Sequence, residues 1–165
     1  MTRPAKGRLI IVCGLPGSGK TTLARSLEDS LGAVRMSPDD WMDALGINLH
    51  EEDFRTRIEA LQWQVTQRLL KLGQVVIIEW GTWGRSERDT LRIGARELGA
   101  AVELRYVSAP PDILIERIQT RARENPPIPQ DTMLEWFKNF QPPTEDEFAL
   151  YDKPAEVKPD RGNGS

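Results

Sequence analysis

The sequence has 165 residues, of which 22 are lysine or arginine and 25 are aspartate or glutamate, so its net charge is −3 at pH 7. This length favours a single domain with a proper core. A pI near 5.3 argues against strong non-specific nucleic-acid binding but is compatible with a local basic groove.

The domain is expected to cover residues 1–158, and residues 159–165 have the composition of a disordered tail. No stretch has the pattern of a signal peptide or of a membrane-spanning helix, so a cytoplasmic location without membrane attachment is expected. The only cysteine, Cys13, lies inside an apolar run and is interpreted as a packing residue. The oligomeric state is left open.

The first predicted element is a buried strand over Leu9 to Cys13, where β-branched residues dominate. Gly14 to Thr21 follows directly and fits the pattern G-x-x-x-x-G-K-[ST] without a mismatch. Helical spacing then begins, and a helix is expected from about Gly19 to Leu31. Strand, glycine-rich loop and helix in this order predict a phosphate-binding loop.

The residue types in this loop are suited to binding a nucleoside triphosphate. Glycines let the backbone N–H groups converge on phosphate oxygens, and the start of the helix adds unpaired N–H groups and a positive dipole end. Lys20 can reach the β- and γ-phosphates, and the Thr21 hydroxyl can ligate Mg²⁺. ATP and Mg²⁺ are therefore the expected cofactors, and the residues expected to contact them are Gly14, Leu15, Pro16, Gly17, Ser18, Gly19, Lys20, Thr21 and Thr22.

A second short strand over 33–36 is predicted to lead into a helix that Ser37 caps. Asp39 and Asp40 in its first turn lie beyond the carboxyl end of a strand, where ligands of parallel sheets bind. One of them could orient an acceptor hydroxyl and take its proton, and Asp39 is favoured. The alternative is that both merely complement the helix dipole.

The longest predicted helix runs from Glu51 to Leu72, and the following strand ends at Glu79. A carboxylate at that position commonly holds Mg²⁺ through water or touches the acceptor. Trp80 and Trp83 come next and could either wall an acceptor pocket or pack on a neighbouring helix. The apolar stripe expected to face the core of the long helix consists of Phe54, Ile58, Leu61, Val65, Leu69 and Leu72.

A fourth strand over 102–107 precedes a helix that carries the basic residues Arg117, Arg121 and Arg123. Arg117 or Arg121 could neutralise charge on a transferred phosphoryl group from a mobile lid, and the alternative is a solvated helix face. Arg85 and Arg88 are weaker candidates for contacts with phosphate or acceptor.

The last predicted elements are a helix over Gln130 to Asn139, a polar connection over 141–146 and a final short strand over 155–157. Strands and helices thus alternate almost throughout, which predicts a parallel sheet with helices on both faces.

The chain resembles the small P-loop kinases, and in particular the polynucleotide-kinase-like, zeta-toxin-like and chloramphenicol-phosphotransferase-like ATPases. The residues that carry the resemblance are GLPGSGKTT at 14–22, SPDDW at 37–41, the strand ending in Glu79, and RIQTRARENPPIP at 117–129. It implies a P-loop NTPase three-layer sandwich with a five-stranded parallel sheet, ATP with Mg²⁺, Asp39 as the base, and Arg117 or Arg121 as the lid arginine. Polynucleotide 5′-kinases have an arginine three residues beyond the base, where this chain has Met42.

The sequence therefore predicts an ATP-dependent kinase that transfers the γ-phosphoryl group to a hydroxyl of a small-molecule acceptor. Asp39, Lys20, Arg121 and Arg117 are the expected catalytic residues, and Thr21 and Glu79 are the expected metal ligands. Two alternatives stay open: a polynucleotide 5′-hydroxyl kinase, which Met42 and the acidic pI disfavour, and a nucleotide-dependent switch without a dedicated acceptor.

Overall fold

The computed structural model describes residues 6–121 and 127–155. The four strands are β1 (Arg8–Cys13), β2 (Val34–Met36), β3 (Val75–Gly81) and β4 (Ala101–Tyr106). The seven helices of the described ranges are α1 (Lys20–Leu31), α2 (Pro38–Leu45), α3 (Glu52–Lys71), α4 (Arg85–Glu97), α5 (Pro111–Arg121), α6 (Gln130–Asn139) and α7 (Glu145–Phe148). Within those ranges, every helix is too short or too polar to span a bilayer.

The strands form one parallel sheet in the order β2-β3-β1-β4. Alternate residues of β1 point to opposite faces: Leu9 and Ile11 belong to a core with residues of α3 and α4, and Ile10 and Val12 to a core with residues of α1. The predicted α/β fold with helices on both faces is therefore confirmed. Cys13 is fully buried, as predicted for a packing residue.

The sheet has four strands among the described residues, whereas the family resemblance implied five. The predicted last strand over 155–157 lies mostly outside the described residues, and the tail over 159–165 lies entirely outside them. Ala155 is described and is not in a strand. The edge of β4 is instead covered by Asp152, whose N–H donates to Val102 O at 2.8 Å and whose Oδ2 accepts from Val102 N at 2.8 Å.

The buried face of α3 differs from the predicted apolar stripe. Leu61 and Leu72 are 49% and 68% exposed, while Gln62 and Thr66 are fully buried. Gln62 Oε1 accepts a hydrogen bond from Trp80 Nε1 at 2.8 Å, so a polar residue serves as a packing position. The buried residues of the helix are Ile58, Gln62, Thr66 and Leu70.

Helix α7 lies partly in the segment that was predicted to be a polar connection. The Thr144 hydroxyl accepts from Glu147 N at 3.3 Å and caps its first turn. Thr and Glu three residues apart form the sequence signature of a helix start, so this helix could have been predicted. It matters for the site because it carries the buried carboxylate of Glu147.

Candidate active site

The loop over Gly14 to Lys20 connects β1 to α1 at the carboxyl edge of the sheet. Gly14 N donates to Gly81 O at 3.2 Å, and a Cβ at Gly14 would come within 2.4 Å of Val107 O. Gly17 has φ of 80°, in the left-handed region that favours glycine. The sequence folds locally into a tight turn that directs the amino end of α1 at an open cleft.

The cleft has a volume of about 1580 Å³ and brings the predicted residues together. Pro16 to Thr22 line it, and the remaining residues that the sequence singled out and that line it are Asp39, Asp40, Glu79, Trp80, Trp83, Arg117 and Arg121. Gly14 and Leu15 shape the loop without lining the cleft. Arg123 lies outside the described residues.

Lys20 is half-buried on the floor of this cleft. Loss of solvation lowers the pKa of its ammonium group, and the charges of Glu79 and Asp39 oppose that shift. The cation at Lys20 therefore lacks full solvation, so an anionic phosphate would stabilise it. The Ser18 hydroxyl is also buried and has no hydrogen-bond partner among the described residues. Both observations fit a loop whose groups donate hydrogen bonds to phosphate oxygens.

Thr21 and Glu79 meet at the end of β3, as a shared metal site requires. Thr21 Oγ1 donates a hydrogen bond to Glu79 Oε1. No cluster of three or more histidine, cysteine, aspartate or glutamate ligands occurs within residues 6–121 and 127–155. Two protein oxygens suit Mg²⁺, which takes its other ligands from water and substrate phosphates. The residues present therefore fit the predicted cofactor.

Arg35 connects Glu79 of β3 to Asp40 of α2 and was missed from the sequence. It is only 9% exposed, and it donates to Glu79 Oε2 at 2.8 Å and to Asp40. Burial opposes its charge, but the hydrogen bonds to Asp40 and Glu79 prevail and raise its pKa. The only signal was one charged residue within a short predicted strand.

The two candidate bases have different partners. Asp40 is held by Arg35, whereas Asp39 Oδ1 lies 2.7 Å from the Arg55 guanidinium of α3. Arg55 also donates to Leu49 O at 3.3 Å, which fixes its position beside the cleft. Arg55 was likewise missed, because its contact with Asp39 spans two helices.

The amino end of the predicted lid rests on the phosphate loop. Arg117 is exposed and donates to Gly17 O at 3.0 Å. A Cβ at Gly17 would lie 3.1 Å from Leu114 O, so α5 packs closely against this loop. Arg121 is close enough to Lys20 for its charge to lower the pKa of that residue.

Part of the cleft lining is aromatic. Trp83 and Trp136 both line the cleft, with ring centroids 5.8 Å apart and planes tilted by 60°. Arg88 lies in the interior, fully buried, and donates to the carbonyl oxygens of Thr82 and Trp83 at 2.8 and 3.3 Å. Arg88 therefore supports the loop that carries Trp83 from behind and does not contact the cleft.

A parallel sheet, a phosphate loop after its central strand and a cleft over the carboxyl strand ends define a P-loop protein with a kinase-like fold. A family model described as an AAA domain, AAA_33, matches residues 9–143, and the chain belongs to this family.

Two curated relatives are uncharacterized proteins of Mycobacterium tuberculosis (strain ATCC 25618 / H37Rv) and Mycobacterium bovis (strain ATCC BAA-935 / AF2122/97). Each is 34% identical over 133 residues, which cover 72% of this chain and 26% of the relative. The chain thus spans about a quarter of the length of the curated relatives it matches.

Solved structures show the same fold. A gluconokinase from Sinorhizobium meliloti 1021 is similar with a TM-score of 0.59 and 22% identity, over 88% of this chain and 81% of that chain. A chain of the Pnkp1/Rnl/Hen1 RNA repair complex is similar with a TM-score of 0.68 and 23% identity, over 97% of this chain and 51% of that chain. These identities support a common architecture and leave the acceptor open.

Proposed function

We propose that this protein is an ATP-dependent kinase that transfers the γ-phosphoryl group to a hydroxyl of a small molecule. The observation that carries the proposal is that the phosphate loop, Asp39 and two arginines of α5 line the same cleft. Phosphoryl transfer depends on positioning and on stabilising charge, and these groups supply both.

In the proposed reaction, the N–H groups of the phosphate loop and Lys20 bind the phosphates. Asp39 orients the acceptor hydroxyl and takes its proton as the oxygen attacks the γ-phosphorus. The bond between that phosphorus and the β–γ bridging oxygen breaks, and ADP leaves. Bound Mg²⁺, held through Thr21 and Glu79, would neutralise phosphate charge. Arg117 and Arg121 stabilise the charge on the group in transit.

The contact between Arg55 and Asp39 supports this assignment of roles. The Arg55 guanidinium at 2.7 Å orients the Asp39 carboxylate at the cleft, where it can accept a proton from an acceptor hydroxyl. Asp40 shares the Arg35 guanidinium with Glu79, the proposed metal ligand, and is the weaker candidate.

Two other functions have specific support. The Pnkp1-containing complex favours a polynucleotide 5′-hydroxyl acceptor, although Met42 is fully buried where polynucleotide kinases carry a phosphate-binding arginine. The hydrogen bond from Arg117 to Gly17 O favours a switch, because nucleotide at the loop would bear directly on α5.

The experiment that distinguishes these functions measures ADP release with a panel of sugars, nucleosides, antibiotics and 5′-hydroxyl oligonucleotides. Acceptor-stimulated release with a small molecule supports the proposal, and 5′-phosphorylation of an oligonucleotide supports the second candidate. If no acceptor stimulates release while ATP and ADP change protease sensitivity within residues 117–129, the switch is correct and the kinase proposal fails.

A further inference from the structure

We infer that the acceptor of the proposed kinase is a hydroxyl compound that carries a protonated amine, bound against the wall formed by Glu52, Glu87, Thr82, Trp83 and Trp136. These residues are called the amine wall below. The inference rests on the proposed function and specifies the substrate class of the same cleft.

The amine wall has an excess of negative charge. Asp39 is neutralised by Arg55, and both Asp40 and Glu79 bind Arg35. Glu52 and Glu87 line the cleft, and neither carboxylate has an ion-pair partner within the described ranges. The cations that line the cleft apart from Arg55 belong to α1, which follows the phosphate loop, and to α5, which packs against that loop. The acceptor side therefore attracts a cation and repels an anion.

The pKa of Glu59 responds to the same negative charges. This residue is half-buried on α3, and burial raises the pKa of its carboxyl to about 7. The charges of Glu87, Glu52 and Asp39 add to that rise, while Arg55 opposes it. Carboxylates from α2, α3 and α4 thus act on one region, which a ligand cation would stabilise.

Thr82 provides an independent indication of a ligand. It lines the cleft, is only 1% exposed, and its Oγ1 has no hydrogen-bond partner among the described residues. Its backbone has φ of 43°, a left-handed conformation that a β-branched residue rarely adopts. Arg88 holds this conformation by donating to Thr82 O at 2.8 Å. A buried hydroxyl that is held in place without a partner can serve a polar group of the acceptor.

The indole rings of Trp83 and Trp136 also favour a cationic acceptor. Tryptophan is the aromatic side chain that attracts cations best, and it also offers a flat face to a saturated ring. The carboxylates can bind an amine, the buried hydroxyl can bind a polar substituent, and Asp39 can bind the reacting hydroxyl. An amino sugar, an aminocyclitol or a small amino alcohol carries these groups. Gluconate and oligonucleotides, which are anionic, fit this wall poorly.

The test compares acceptors that differ only in charge. ADP release by the purified protein is measured with glucosamine, N-acetylglucosamine, glucose, gluconate, 2-deoxystreptamine, ethanolamine and a 5′-hydroxyl oligonucleotide. We expect activity with at least one of the amines, and at least a tenfold lower kcat/KM when the same compound is N-acetylated.

Glu52→Gln and Glu87→Gln then test the wall itself. Each should raise the KM for the amine acceptor at least threefold, with kcat and the KM for ATP nearly unchanged. Glu97→Gln, at the exposed end of the same helix as Glu87, is the matched control and should change none of these values.

The outcomes separate this inference from the proposed function. Equal or greater activity with glucose, gluconate or the oligonucleotide than with any amine overturns the inference but leaves a kinase. Unchanged KM in both glutamine variants overturns the wall as the amine site. Absence of stimulation by every acceptor overturns the inference together with the proposed function.

Discussion

Arg88 and Glu147 form a buried, two-pronged ion pair, with Nε and Nη2 donating to the two carboxylate oxygens at 2.6 and 2.9 Å. The two residues are 0% and 1% exposed. Arg88 also donates to Gln141 O at 2.9 Å, in addition to the carbonyl oxygens of Thr82 and Trp83. One guanidinium therefore joins the loop after β3, the segment after α6, and α7, and this arrangement fixes one wall of the cleft.

Replacing Arg88 by methionine should destabilise the fold severely. The carboxylate of Glu147 would be left buried without its cation, and breaking a buried pair in this way costs about 3–5 kcal/mol. Urea unfolding measures the change in the free energy of unfolding. Arg85→Met on the exposed first turn of the same helix is the control and should change it by less than about 0.5 kcal/mol. A cost for Arg88→Met equal to that of the control would contradict the structural role.

Lys20→Ala should weaken ATP binding by about tenfold or more, because a charge-assisted hydrogen bond to phosphate is lost. Calorimetric titration with ATP and Mg²⁺ measures the affinity. Lys71→Ala, in the last turn of α3 and away from the cleft, should bind ATP as the unmodified protein does. Unchanged ATP affinity and turnover in Lys20→Ala would contradict the assignment of this loop as the phosphate-binding site.

Asp39→Asn should lower kcat for the true acceptor by roughly 10²–10⁴-fold, the usual contribution of a general base. ATP affinity should change little, because Asp39 lies beyond β2 and outside the phosphate loop. Single-turnover phosphoryl transfer measures the effect. Asp40→Asn is the matched comparison, and a larger loss there than in Asp39→Asn would reverse the assignment of the base.

Glu59→Gln should stabilise the protein increasingly as the pH rises. The pKa of Glu59 is about 7 in the folded chain against an ordinary 4.5, so the folded form binds the proton more tightly. The stability that protonated Glu59 contributes is therefore present at low pH and is lost as the pH rises towards 7. Glutamine keeps the neutral form at every pH.

Thermal unfolding at about pH 5 and about pH 8 measures this effect. The difference in Tm between Glu59→Gln and the unmodified protein should grow from the lower to the higher pH. Glu97→Gln should show no such growth, and a constant difference for Glu59→Gln would show that its carboxyl titrates normally.

The local features of this molecule could be predicted from the sequence because they depend on short-range geometry. The phosphate loop is a contiguous pattern, and the Ser37 cap of α2 accepts from Asp40 N three residues away, as expected. The parallel sheet followed from the alternation of apolar runs and helices.

The remaining features depend on pairs that are distant in the chain. Arg35 bonds to Glu79 across 44 positions and Arg88 to Glu147 across 59, and nothing in either local sequence identifies the partner. The face of α3 was mispredicted for a similar reason: Gln62 is buried because the Trp80 indole, 18 positions away, supplies its hydrogen bond. Periodicity counts apolar residues and cannot anticipate a buried polar residue whose partner lies on another element.

Asp152 has a consequence for the behaviour of the protein in crowded solution. Its N–H and carboxylate satisfy both backbone groups of Val102 and so imitate a neighbouring strand over one residue. An edge strand with free backbone groups is a template on which a second chain can add. We therefore expect Asp152 to hinder the addition of a strand from a second chain at this edge. The hydrogen bond from Val102 N holds the pKa of the Asp152 carboxyl below the usual range. The carboxylate is therefore protonated, and this contact weakened, only in acid, where we expect self-association to begin.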